Sequence, residues 1–214
     1  MNPAWGVPWQ QPAYYQQPHP GAFSPPPAGF PGYWSQPGWA PPNTNAAYHS
    51  TKYPMLNPVL ASDSTQIRYD VRKQARNEIP PATYMPNRLL HATATSATHV
   101  RLISKAFPWS IDIKSNTPIT CEAVWDALHA ALQQHIADSE WGIVVGDKKQ
   151  REMIEKAAKK RVESDPDARL KRIDWLGVNT IFRGLDRMED FQELRLMPGA
   201  EPCLETWVVK LGSS

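Results

Sequence analysis

An α+β fold is predicted for residues 53–214: a mainly antiparallel sheet with two consecutive helices between runs of strands. A disordered tail over residues 1–52 precedes it. Three observations predict this. All 23 basic and 21 acidic residues of the chain lie from Lys52 onward. Stretches of period-two hydrophobicity stand on both sides of a stretch with helical period. The connections near the C-terminal end are short, which favours antiparallel neighbours.

The tail contains twelve prolines and ten aromatics, yet Val7 is its single branched aliphatic residue. Rings, prolines, Gly and Gln do not fill a core without Leu, Ile or Val between them. The ordering cost of roughly 1–2 kcal/mol per residue then goes uncompensated. Trp5, Trp9, Tyr14, Tyr15, Phe23, Phe30, Tyr33, Trp34, Trp39 and Tyr48 recur through a polar, uncharged medium. That composition is prion-like and predicts weak multivalent association, liquid-like because the prolines oppose β-stacking. The tail has no PxxP and no Pro-Pro-x-Tyr. Phe23-Ser24-Pro25-Pro26-Pro27 is its best polyproline II ligand, and Ser24-Pro25 a weak proline-directed phosphorylation signal.

The folded part begins with Ile67, Tyr69 and Val71 alternating with Arg68, Asp70 and Arg72, which predicts a half-buried strand. Pro80, Pro81 and Pro86 predict a loop. Strands follow at Val100–Leu102 and Trp109–Ile113. A helix starts near Pro118 with Thr117 as N-cap and carries Cys121, Val124, Leu128, Ala131, Leu132 and His135 on one face. A second helix, Asp147 to Glu163, has a narrow stripe of Met153, Ile154 and Ala157, from which Arg161 projects toward solvent or a carboxylate. Strand patterns return at Ile173–Leu176, Thr180–Arg183, Phe191–Met197 and Leu204–Leu211. Trp109, Val124, Leu128 and Trp175 are expected in one core.

Composition excludes several function classes. A formal charge of +2 does not make a polyanion-binding surface. Cys121 and Cys203 stand far apart and outside any CxxC, so neither a disulfide scaffold nor a zinc site is expected. There is no secretory signal, no apolar run of membrane-spanning length and no glycosylation sequon, so an intracellular protein is expected. Dinucleotide, phosphate-loop, zinc-protease and serine-hydrolase motifs are absent. His19, His49, His91, His99, His129 and His135 have no metal-ligand spacing, and His135 on the apolar helix face is expected as a core histidine. Cys121 reads as a small buried hydrophobe. Nothing in the spacing selects an acid–base pair from Asp112, Asp174 and Asp186. If Gly177-Val178-Asn179 closes a hairpin, Asp174 and Arg183 pair across it, with Arg172 alongside.

Leu56-Asn57-Pro58-Val59-Leu60, Tyr69-Asp70-Val71-Arg72 and Pro108-Trp109-Ser110-Ile111 occur in that order. Val124-Trp125-Asp126-Ala127-Leu128, Arg172-Ile173-Asp174-Trp175-Leu176 and Phe182-Arg183-Gly184-Leu185 follow. The succession, spanning Leu56 to Leu211, resembles a domain of unknown function widespread in mushroom-forming basidiomycete fungi. The resemblance implies a fungal origin and an α+β fold, and no activity. The tail lies outside it.

The functional expectation is a non-enzymatic interaction or scaffold protein whose domain presents a sticky tail to itself or to a protein partner. No residue is assigned a catalytic, cofactor-binding or metal role. An enzyme or small-ligand domain with a cryptic site is the alternative. Nucleic-acid binding through residues 147–172 is the third reading. Ten basic and six acidic residues stand in that stretch, a composition that a solvated helix face also explains.

Overall fold

The computed structural model describes residues 50–196 and 202–213, so the tail and its expected disorder lie outside the described residues. The fold is α+β. Four strands, β1 (His99–Ile103), β2 (Ile111–Lys114), β3 (Ile181–Asp186) and β4 (Thr206–Gly212), form one sheet in the order β2-β1-β4-β3. β1–β2 and β3–β4 are antiparallel, whereas β1–β4 is parallel. Thr206 to Val209 are all buried, as befits a central strand covered on both faces.

Among the described residues six α-helices accompany the sheet: α1 (Ala75–Glu78), α2 (Pro81–Asn87), α3 (Cys121–Leu132), α4 (Asp138–Val144), α5 (Lys148–Val162) and α6 (Glu189–Arg195). The loop expected at Pro80–Pro86 is helix α2. Pro81 takes its first turn, where no amide donor is needed, and Pro80 O accepts from Thr83 and Tyr84 N–H. The N-cap of α3 lies three residues beyond the expected Thr117. Ile119 N–H donates to Ala97 O and Ile119 O accepts from Ala92 N–H, holding the lead-in extended. Thr120 is the cap, its hydroxyl accepting from Ala123 N–H at 3.2 Å. The buried face of α3 is Cys121, Val124, Trp125, Leu128, Ala131 and Leu132. His135 falls past its end, 41% exposed and bonded to Asp167, and is therefore no core histidine. α5 agrees closely with the expected helix. Asp147 caps it by accepting from Gln150 N–H, and Ile154 and Ala158 are its buried residues.

Three expected strands take other forms. Residues 67–71 alternate as predicted, with Ile67, Tyr69 and Val71 buried. They run along β3 through only two backbone bonds, Phe182 N–H to Tyr69 O and Val71 N–H to Thr180 O, and so form an extended border strip. Further along, Ser62 N–H donates to Leu185 O and Leu185 N–H to Leu60 O, so the same N-terminal stretch covers the open edge of the sheet. Arg172–Leu176 is a 3-10 turn, because Ile173, Asp174, Trp175 and Leu176 are all buried and no exposed alternate remains for a strand. The span expected as strand Phe191–Met197 is α6 up to Arg195, which buries no side chain; Met197 lies outside the described residues.

Trp109, Val124, Leu128 and Trp175 do share one core. Trp109 stacks on Phe107 at 5.0 Å and meets Trp175 edge-on at 5.5 Å, with the Arg172 guanidinium 4.9 Å from its ring. Arg195 of α6 clasps the β1–β2 connection, donating to the carbonyls of Ser104, Phe107, Pro108 and Trp109. Burial lowers its pKa, yet four carbonyl acceptors keep the guanidinium solvated by protein.

Candidate functional site

α5 packs on the 3-10 turn, and Arg161 joins them. Its Nε and one terminal nitrogen grip the Asp174 carboxylate at 2.8 and 3.0 Å. The remaining donors go to Asp165 Oδ2 at 3.1 Å, Asp167 O at 2.8 Å and Arg169 O at 2.7 Å. All five donors of the guanidinium are thereby used. Asp174, 2% exposed, also accepts from Lys171 N–H at 2.9 Å. This is a closed structural joint. The expected Asp174–Arg183 pair does not form: the expected hairpin is a 3-10 turn, and Arg183 lies exposed, donating to Ser213 O at 2.7 Å. Arg172 turns to Glu140 of α4, which accepts from its Nε at 3.1 Å. Sequence reasoning missed Glu140 and α4. Asp138 and Glu140 in a first turn, with Val144 four residues beyond Glu140, were the available signal.

Between α5 and the wall formed by Arg72, Lys73 and the Gly177–Thr180 segment runs an open groove of about 1340 Å³. Gly177, at φ +57, lets the chain turn tightly against Met153, whose sulfur lies 2.7 Å from where a Cβ would stand. Lys149, Met153, Lys156 and Lys160 recur at helical spacing along the α5 side of the groove. On the opposite wall Arg72 is engaged by Asp70 and Lys73 by Glu78. Among the described residues Lys149, Lys156 and Lys160 have no carboxylate within ion-pair distance. The groove thus consists of a saturated base and an unneutralised rim. The basic stretch noted at 147–172 contains both parts.

The other candidates separate. Asp112 is held by His99 and Arg101 across β1–β2, Asp174 by Arg161, and Asp186 by Tyr53 and Lys210. Each sits in its own cation cluster. Burial pushes the Asp186 carboxyl up, and hydrogen bonds from Lys210 and Tyr53 more than offset it, leaving it below the usual range. Burial pushes the Cys121 thiol well up, in keeping with a small hydrophobe. His91 bonds Ser96, and among the described residues no cluster of three or more His, Cys, Asp or Glu could hold a metal. No helix among them is long and apolar enough to cross a membrane.

Lys171 and the Asp167 amide hold the Asp165 carboxyl down at about 2, and Arg169 and His135 hold Asp167 lower still. A carboxylate depressed on folding stabilises the fold above its unfolded pKa of about 3.9, and the contribution is lost as pH falls toward the folded value. The denaturation midpoint of the protein is therefore expected to fall as pH drops from about 4 to about 2. An Asp165→Asn/Asp167→Asn variant should start lower at pH 7 and show a shallower slope in that window, measured by thermal unfolding.

The profile of a family of unknown function, DUF6699, matches residues 66–192, more than half of the chain. The chain belongs to this family. No curated protein and no solved structure matches it significantly. The DUF6699 match runs from the border strip to the middle of α6 and so contains the Arg161–Asp174 joint and the whole groove. It stops short of β4, the strand between β1 and β3.

Proposed function

We propose that this protein is a non-enzymatic, intracellular interaction protein of fungal origin, in which the DUF6699 domain anchors a tail that associates weakly through its aromatics. The observation that carries the reading is the division of charge at the groove. The groups that converge there, Arg161, Asp165 and Asp174, are consumed by one another, and the side chains left to meet a partner are Lys149, Lys156 and Lys160 with Glu152 and Glu163 beside them. The buried cluster at the base of the groove offers no free proton site, since the Arg161 guanidinium uses all five donors and holds the Asp174 carboxylate. The tail supplies the second element, ten rings without a charge in 51 residues.

The test is concentration-dependent assembly of the full chain, followed by light scattering across a salt series with and without single-stranded RNA. Association between uncharged aromatic segments is expected to persist as salt rises, since no charge is screened. Replacing Trp5, Trp9, Trp34 and Trp39 with Ser should abolish it and leave the unfolding transition of the domain in place. Assembly that requires RNA and collapses with salt would point instead to phosphate contacts through residues 147–172. No assembly at any concentration would overturn the reading.

A further inference from the structure

We propose that the α5 groove is a docking site for an extended acidic peptide segment of a partner protein, one carrying a single apolar anchor. The inference rests on the interaction reading above and gives it a chemistry. Four features of the groove converge on it.

The first is uncompensated charge. Lys149, Lys156 and Lys160 lie along one face of α5, exposed and without an ion-pair partner among the described residues. Two other cations of the helix are engaged: Lys148 reaches Glu152, and Arg161 is held by Asp174. An ammonium row of this kind favours a ligand that brings carboxylates.

The second is spacing. At about 1.5 Å per residue, Lys149 and Lys156 stand about 10 Å apart along the axis and Lys156 and Lys160 about 6 Å. An extended peptide advances about 3.3 Å per residue with alternate side chains on one face, so carboxylates four and then two residues apart, about 13 and 7 Å, fall within reach of the flexible lysine stems. Lys149 to Lys160 spans about five residues of such a chain.

The third is an apolar patch in the same groove. Val178 is 72% exposed at the tip of the opposite wall, and Met153 is half-buried between the lysines. An exposed valine facing a methionine across a charged groove gives one aliphatic side chain a place to be desolvated.

The fourth excludes the competing polyanion. A single-stranded nucleic acid is held by a net-positive track with aromatic platforms on which its bases stack. The residues lining this groove include no aromatic, and Glu152 and Glu163 stand among its lysines. They interrupt the lysine row for a chain that carries a charge at every unit. A peptide can place neutral residues opposite them.

The test uses the full-length protein and a fluorescein-labelled decapeptide with glutamates at the four-and-two spacing, one leucine and otherwise Ser and Gly. Fluorescence anisotropy should show saturable binding that weakens as salt rises. Charge reversal in Lys149→Glu/Lys156→Glu/Lys160→Glu should weaken it roughly tenfold or more, three exposed pairs being converted to repulsions. The unfolding transition should not move, because none of the three contributes an internal contact. Val178→Asp, on the wall opposite, is the second variant and should also weaken binding. Binding by both variants as tight as that of the wild-type protein, or no binding by the wild-type protein, overturns the proposal. So does tighter, steeply salt-dependent binding of a decauridine, which would assign the groove to nucleic acid. The tail substitutions at Trp5, Trp9, Trp34 and Trp39 should leave peptide binding unchanged, so a failure of tail-driven assembly and a failure of groove binding register separately.

Discussion

Replacing Arg161 with methionine should lower the stability of the domain by about 3–5 kcal/mol, the cost of leaving a buried carboxylate without its cation. The size follows from burial: the Arg161 side chain is 12% exposed and that of Asp174 2%, so solvent cannot replace the lost partner. It also follows from what the guanidinium joins. Its bonds to Asp167 O and Arg169 O fix the connection after α5, and those to Asp174 fix the 3-10 turn. A paired Arg161→Met/Asp174→Asn variant should be more stable than the two single losses add up to, because the orphaned charge is gone. The coupling in this cycle is expected at about 1–3 kcal/mol. Chemical denaturation decides it. An Arg161→Met midpoint no lower than that of Lys160→Met, one residue away and exposed, would show that the joint does not hold the fold together.

Gly184→Ala should cost about 3 kcal/mol or more, through a different mechanism. Between Phe182 paired with Leu211 and Leu185 paired with Val209, β3 contains one residue more than β4, which makes a bulge. Gly184 sits in it at φ +96, and a Cβ there would lie 2.6 Å from Ser62 Cα and 2.9 Å from Ser62 N. Backbone cannot swing aside as a flexible side chain can. Relief requires β3 and the border strip to part, which breaks the Ser62–Leu185 and Leu185–Leu60 bonds, each worth about 1 kcal/mol. Gly142 in α4 is the control of opposite sign. Nothing stands within 4 Å of its added Cβ, so Gly142→Ala should stabilise by roughly 0.5–1 kcal/mol. Equal effects of the two substitutions in thermal unfolding would refute this account of the bulge.

The α+β class and the principal helices were legible because their physics is local. α3 repeats an apolar face at helical period over three turns, and α5 begins at an aspartate that caps it. β1 and β4 show strand composition within their own residues. What escaped was decided elsewhere in the chain. Ile173 and Trp175 read as alternate strand positions, but Asp174 between them is buried too, for a reason supplied by Arg161. α6 buries no side chain, so it has no apolar stripe to announce a helix; its role is carried by Arg195 reaching the carbonyls of the β1–β2 connection. The prolines of α2 signalled a break in composition, yet one of them occupies the position in a helix that suits proline. At the candidate site the lysines of α5 were visible as a basic stretch. The opposite wall was not, since Arg72 and Lys73 are brought to it by the fold from a distant part of the chain.

The placement of β4 bears on how the molecule is made. A ribosome delivers β1, β2 and β3 first, and the strand that must lie between β1 and β3 last. Until Thr206–Gly212 has emerged, the nascent chain has a β1–β2 hairpin and a β3 bordered on one side only, and the edges of β1 and β3 that will receive β4 are open to other chains. Closure then comes at once, by insertion of a single strand whose partners in β1 were synthesised about a hundred residues earlier. Closure of the sheet thus waits for β4, and the period of greatest exposure to chaperones and to misassembly falls between the emergence of β3 and that of β4.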